Sequence, residues 1–487
     1  MKTNRAILLF FIKIFLLSIL FLTREDVFGQ KNNTVIIEGK TTFAAGEEVR
    51  IIAIEDYISM KQKTIASGKI DRHGAFKISF RSPGIKLIQI EVRTSKAEFF
   101  IVPGYSYTFN ITMDPQLFDL LDPEMFGGFL QVRSNTIDTL DINYKINRFS
   151  SFYNRATDYY QYELIFEKSV NAYDSLMLDL QRNFEIRYAP ENFYLSYLYY
   201  TVGALEMLIY SKSHKRLFKN YLDNEYILYD NPAYMAFFKD FYNNYLYASP
   251  VVSKNILKNH INLKPDYNAL FNELGKIDFL RNERIRELVI IYNLYQFSGH
   301  EEFEQENVVS LLHYIKENSH FPEHREIAKN VFSVLTKYNE SVAISTTYFK
   351  KENGDSFQIN KLNGRWVYLH FFNTACLDCI REMLIIQKLQ EKFKDNISFV
   401  SICLDHDFSK FRAFRKDYAM FDWEFAHFNN NYDWLRELEI GALPDNILLN
   451  DKGRIAMRYA PDPSKDLTLF LMRLFPEEEE INPIFNR

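Results

Sequence analysis

The segment NTACLDCIREM, residues 373–383, carries Cys376 and Cys379, two of the three cysteines in a chain of 487 residues. Two thiols three positions apart can form a redox couple, supply half of a metal site, or coincide without purpose. A structural zinc needs four ligands, and the sequence offers no second Cys or His pair at a suitable spacing. Copper(I) favours thiolates but wants a third ligand, and no Met- or His-rich loop surrounds the pair. A redox couple needs only that one thiol ionise. A free cysteine, with a pKa near 8.5, is only about 3% thiolate at neutral pH. The first turn of a helix can lower that pKa by one to several units, because its unpaired N–H groups and the positive end of the helix dipole favour an anion.

The elements around the pair supply that position. WVYLHFF, residues 366–372, reads as a buried strand, and helical residues follow from Cys376 to about Phe393. Before the strand, a hairpin is expected around Asn353-Gly354 and a polar turn ending at Asn363-Gly364. After it come a strand at ISFVSICL, a helix near FSKFRAFRKDY and a short helix at DWLRELEI. Strands DNILLN and RIAMRYA follow, joined by Asp451-Lys452-Gly453, and DLTLFLMRLF is a last helix. Alternating strands and helices predict an α/β domain over residues 341–487. In that frame Cys376 is the nucleophile, and Cys379, one turn on, is the thiol that resolves a mixed disulfide. Cys403 falls inside an apolar strand and reads as a buried, inert thiol.

Two further regions precede this one. Residues 30–115 alternate apolar and polar side chains in short runs punctuated by Gly46, Gly74, Pro83-Gly84 and Pro103-Gly104. That pattern predicts a small antiparallel β-sandwich. Over residues 116–340 glycine becomes rare and apolar residues recur at three- and four-residue spacing, predicting an all-α region. Pro190, Pro232, Pro250, Pro265 and Pro322 are expected between helices or in first turns. Much of the surplus of 44 Phe and 32 Tyr falls there, and is expected to fill helix–helix interfaces. At this length, three domains are no more than one hydrophobic core per normal domain size requires.

The first 29 residues read as a secretory signal: basic MKTNR, then apolar AILLFFIKIFLLSILFL, then Val27 and Gly29 at −3 and −1 of a cleavage site before Gln30. The rival is an uncleaved anchor, so membrane attachment is expected only if the segment is retained. Export would carry the chain to the periplasm or cell envelope, where disulfides persist. Three cysteines are too few for a stabilising disulfide framework, which leaves the close pair and one odd thiol. A formal net charge of −5 gives no reason to expect a nucleic-acid partner.

GRWVYLHFFNTACLDCIREM, with NGDSFQINKLNG before it and LEIGALPDNILLNDKGRI after it, resembles the thioredoxin-like TlpA/ResA-type thiol–disulfide oxidoreductases over roughly residues 343–475. The layout, with a sandwich and helices ahead of the redox domain, is similar to multidomain members common in Bacteroidetes. The resemblance implies an exported enzyme exchanging disulfides with envelope proteins and with an upstream electron donor or acceptor, with no cofactor and no metal. It matches Pro444 to the family's cis-proline beside the sulfurs, which would leave the Leu443 backbone free to pair with an extended substrate. His370 takes the strand position of a buried acidic residue in thioredoxins: it would exchange a proton with the resolving thiol, or simply pack beneath it. Glu382 matches a helix glutamate near the thiols of ResA-like proteins, there to tune their pKa, or else it is a solvated helix residue. Departures from the family are Ala375 in place of Trp, Leu377-Asp378 in place of Gly-Pro, and Leu384 where a proline is usual. Asp378 would set negative charge beside the thiolate. With those departures, two alternatives stand beside the enzyme: a redox-inactive scaffold that binds a ligand, and a copper-handling protein. The peroxiredoxin arrangement Pro-x-x-x-Thr-x-x-Cys is absent.

Overall fold

A computed structural model describes residues 33–475 apart from residues 43, 94, 114–129, 135–137, 211–212, 225, 338–346, 363 and 442. The expected signal segment lies outside the described residues. No described helix is long and apolar enough to cross a membrane.

The described residues open with two four-stranded sheets. One has the order β4-β1-β7-β8, from β1 (Thr34–Thr41), β4 (Ala75–Arg81), β7 (Ser106–Met113) and β8 (Leu130–Ser134). The other has the order β3-β2-β5-β6, from β2 (Glu48–Ile54), β3 (Gln62–Lys69), β5 (Lys86–Val92) and β6 (Ser95–Ile101). Alternation decides which face is buried: Val35, Ile37, Ile51, Ile90 and Ile111 fill the core between them. Two details depart from expectation. β1 pairs with β7 in parallel, because β7 returns after the other strands have crossed the sandwich and no tight hairpin forces reversal. β8 pairs with β7, so the sheet reaches residue 134, beyond the boundary at residue 115 expected from the sequence.

Helices follow. The longer ones are α1 (Ile142–Tyr159), α2 (Val170–Asn183), α3 (Phe193–Ile209), α4 (Pro232–Phe241), α5 (Glu283–Phe297), α6 (Gln305–Asn318) and α7 (Pro322–Thr336). Asp141, Ser169, Asn192, Asn231 and Asn282 cap five of these through side-chain oxygens, and Pro232 and Pro322 occupy first turns. Tyr200, Tyr234, Tyr242, Phe237 and Phe238 are fully buried in one cluster. The Tyr200 and Tyr242 hydroxyls donate to the carbonyls of Tyr221 and Phe279, whereas the Tyr234 hydroxyl is buried with no hydrogen-bond partner among the described residues.

The last region is a seven-stranded mixed sheet in the order β10-β9-β13-β12-β11-β14-β15. Its strands are β9 (Tyr348–Lys350), β10 (Ser356–Gln358), β11 (Trp366–Phe372), β12 (Ile397–Cys403), β13 (Glu424–His427), β14 (Asp445–Leu449) and β15 (Ile455–Met457). Helices α8 (Leu377–Phe393), α9 (Phe408–Asp417), α10 (Tyr432–Glu437) and α11 (Leu467–Leu474) complete it. The interior strand β11 runs parallel to β12 and antiparallel to β14, and is buried on both faces. Val367, Leu369 and Phe371 enter one core with Trp434 and Leu435 of α10. Tyr368 and Phe372 enter the other with Cys379, Met383 and Ile386 of α8. β13 is not among the strands expected from the sequence. Its four residues are too few to show alternation.

This region is tied to what precedes it by named polar contacts. Arg436 of α10 donates to the Glu91 carboxylate of β5 at 2.8 Å, and Arg50 of β2 pairs with Asp433 at 2.9 Å. Lys337, just past α7, donates to Glu439 at 2.8 Å.

Candidate redox centre

β11 delivers the chain to Cys376, which is the N-cap of α8. The turn between them is pinned from below. The Asp405 carboxylate, 5% exposed, accepts the backbone N–H of Thr374 at 2.9 Å, and the Asn373 side chain and carbonyl accept the N–H groups of Ala375 and Cys376. The same Asp405 oxygen accepts the thiol of Cys403 at 3.1 Å. Cys403 is wholly buried, and burial, with Asp405 beside it, pushes its thiol well above the ordinary range. It is inert for want of access and of charge.

Cys376 and Cys379 are joined in a disulfide, with their Cα atoms 5.3 Å apart. The two sulfurs are not equivalent. Cys376 is half-buried, whereas Cys379 is fully buried in the core beneath α8. The backbone N–H of Cys379 donates to the Cys376 sulfur at 3.1 Å. A helix-start N–H aimed at one sulfur favours its anion over that of its neighbour. Asp378, whose charge opposes that effect, is exposed and is paired with Arg381 at 2.6 Å. Exposed surface pairs contribute little to stability, but this one draws the aspartate's charge toward a cation and solvent.

A buried polar cluster lies on the same face of the sheet. Side chains alternate along β11, so His370 emerges between Tyr368 and Phe372 toward α8. On α8, Glu382 follows Cys379 by three residues, the spacing that places both on one helix face. His370 is 1% exposed and Glu382 is 3% exposed. Their facing atoms, His370 Nε2 and Glu382 Oε2, stand 3.6 Å apart, too long for a hydrogen bond. Among the described residues neither atom has a hydrogen-bond partner. His370 Nδ1 lies 3.3 Å from the Ser401 hydroxyl, which also accepts the indole N–H of Trp423 at 2.9 Å.

The environment separates the two groups. Burial depresses the His370 pKa to about 3, so the ring stays neutral at neutral pH. Burial raises the Glu382 pKa to about 7, with Asp462 adding to the rise and Asn446, Ser464 and Lys465 opposing it. Ser464 donates to Glu382 Oε1 at 3.4 Å, and Asn446 sits opposite His370 in the β11–β14 register. Of the two, Glu382 alone changes protonation near pH 7.

The loop from Leu438 to Asp445 completes the site. The Leu443–Pro444 peptide bond is cis, and Leu443 and Cys376 pack against the same buried cluster. Among the described residues, the Leu443 backbone N–H and C=O make no backbone hydrogen bond. Arg458, almost wholly buried, closes the base of the loop. Its guanidinium donates to the Leu438 carbonyl at one end and forks onto Asp445 at 2.9 and 2.8 Å at the other.

The five residues singled out from sequence fall in this one region: Cys376 and Cys379 bonded, His370 facing Glu382 beneath them, and Pro444 on the adjoining loop. Asn446, Ser464, Asp405 and Arg458 escaped sequence reasoning. Asn446, two residues past Pro444 in a strand, carried a positional signal. The other three come from loops or a strand end and carried none.

A family model for thioredoxin-like proteins matches residues 364–455. The chain is 23% identical over 126 residues, 25% of its length, to the thiol–disulfide oxidoreductase ResA of Bacillus cereus, covering 71% of that protein. Among solved structures it is similar to a thiol–disulfide oxidoreductase from Bacteroides fragilis, at 22% identity, 26% of this chain, 96% of that one and a TM-score of 0.24. It is also similar to StoA from Bacillus subtilis, at 22% identity, 23% of this chain, 83% of that one and a TM-score of 0.20. The family model covers about a fifth of the chain, and the other matches about a quarter.

Proposed function

We propose that this chain, with a thioredoxin-like domain of the TlpA/ResA type near its C-terminus, is an exported enzyme that exchanges disulfides with proteins of the cell envelope. The observation that carries the reading is the asymmetry of the pair: a half-exposed Cys376 at the start of α8, receiving an N–H, bonded to a Cys379 that solvent does not reach.

In the reducing direction the dithiol form acts. The Cys376 thiolate attacks one sulfur of a substrate disulfide, a bond forms between them, and the other substrate sulfur leaves as a thiolate that takes up a proton. Cys379 then gives up its proton and attacks the Cys376 sulfur. The mixed disulfide breaks, the second substrate sulfur leaves, and the Cys376–Cys379 bond remains. Two thiols of the protein are oxidised as one substrate disulfide is reduced. The oxidising direction is the reverse. Glu382 is the base for the buried proton, because its pKa of about 7 lets it accept at neutral pH, and neutral His370 lines the same recess. An extended substrate segment would lie along Leu443, whose N–H and C=O make no backbone hydrogen bond among the described residues and suit strand pairing.

Replacing Cys379 by serine removes the resolving step and leaves Cys376 able to capture. A Cys379→Ser variant expressed in the source cell is expected to hold envelope proteins as mixed disulfides on Cys376, released by dithiothreitol. Titration of the wild-type dithiol against glutathione is expected to give a reversible two-thiol equilibrium. Capture of nothing, together with a pair that does not cycle, would leave the scaffold reading in its place.

A further inference from the structure

The loop that carries Leu443 and Pro444 is held from outside its own domain. Arg50 and Glu91 are directly paired across β2 and β5, and present a cation and an anion to α10. α10 answers with the opposite pair: Asp433 meets Arg50 at 2.9 Å and Arg436 meets Glu91 at 2.8 Å. Arg436 also donates to the Arg93 carbonyl at 3.4 Å. Glu91 is 2% exposed, with Lys96 at 3.4 Å as a second cation. An exposed ion pair would add little. A buried carboxylate is different, because water does not reach it, and removing Arg436 at 2.8 Å leaves the longer pairing with Lys96 at 3.4 Å. The loop itself is gripped by the helical region, where Lys337 donates to Glu439 at 2.8 Å, four residues before Leu443.

We propose that the regions before the redox domain are part of its substrate machinery, with Glu91, Arg436 and Lys337 as positioning residues for the docking loop. This rests on the disulfide-exchange reading above. Arg458 fixes the two ends of the loop relative to each other, and the outside contacts fix the loop and α10 relative to the rest of the chain. A small disulfide needs only the Cys376 sulfur. A protein disulfide must also lay its backbone along Leu443, so it alone senses where the loop is held.

The test compares two disulfides on the reduced full-length protein by stopped flow: insulin as the protein disulfide, and 5,5′-dithiobis(2-nitrobenzoate) as the small one. Arg436→Ala and Lys337→Ala are expected to slow the reaction with insulin by about tenfold, chiefly through a raised KM. The reaction with the small disulfide and the equilibrium with glutathione stay at wild-type values. Arg436→Lys keeps the cation and is expected to recover most of the rate with insulin. Thermal melts of each variant establish folding, and Lys337, on the surface, gives a variant that does not disturb a core. Equal slowing of both disulfides, or slowing of neither, would overturn the proposal. A wild-type protein inert toward both would instead remove the exchange reading beneath it.

Discussion

Replacing Glu382 by glutamine tests the acid–base half of the site. The side chain keeps its shape and loses its proton affinity. Burial places the Glu382 pKa at about 7, so the fraction able to accept a proton is about 1% at pH 5, one half at pH 7 and nine tenths at pH 8. Resolution of a mixed disulfide by wild-type protein is therefore expected to rise about fiftyfold from pH 5 to pH 7, then level off. In Glu382→Gln the buried thiol must ionise unaided. Its rate is expected to lie about 10²-fold below wild type at pH 7, the lower end of what a positioned base contributes, and to climb tenfold per unit without a plateau until the thiol's own pKa. The assay is rapid mixing of reduced protein with a disulfide, acid quench, and mass measurement of the mixed-disulfide and internal-disulfide forms over time. Superimposable profiles for the two proteins would refute the assignment of the proton to Glu382. A wild-type profile without an inflection near pH 7 would refute the physical basis of the raised pKa.

The same two groups impose opposite slopes on stability. His370, depressed from 6.5 to about 3, is neutral when folded and takes a proton when unfolded, so stability falls as pH drops below 6.5. Glu382, raised from 4.5 to about 7, keeps its proton when folded and loses it when unfolded, so stability falls as pH rises through that window. Relative to wild type, His370→Asn is expected to unmask a decline of about 1.4 kcal/mol per unit from pH 4.5 to 6.5, and Glu382→Gln the opposite slope, both read from urea unfolding. Arg458→Ala strips a buried guanidinium from Asp445 and the Leu438 carbonyl, and is expected to cost about 3–5 kcal/mol, seen as a lower urea midpoint at unchanged slope.

The sequence carried the redox pair in full view because its signals are local. A continuous apolar run gives β11, helical spacing gives α8, and the cysteines sit at the junction. The same is true of the β9–β10 and β14–β15 hairpins, whose Asn353-Gly354 and Lys452-Gly453 turns place Gly354 and Gly453 at positive φ. What local signals do not carry is who faces whom across the sheet. Asn446 reaches His370 only through the β11–β14 register, and Ser464 reaches Glu382 from 82 positions away. The protonation state of Glu382 follows from that company and from burial, so it was out of reach until the elements were assembled. The parallel pairing of β1 with β7 and the strand β8 were hidden for the same reason. Each depends on a connection that the alternation of a single strand does not record.

An odd number of cysteines ordinarily leaves a spare sulfur through which two copies of a chain can become covalently linked. Here the odd one is sealed in β12 with its hydrogen on Asp405, and that carboxylate also steadies the turn leading to Cys376. Oxidation of the folded molecule thus has a single intramolecular outcome, and its stoichiometry is even although its thiol count is not. An alkylating reagent would reach Cys376 in the folded, reduced protein and the buried Cys379 and Cys403 only after unfolding, which makes those two internal reporters of whether the domain around the pair is intact.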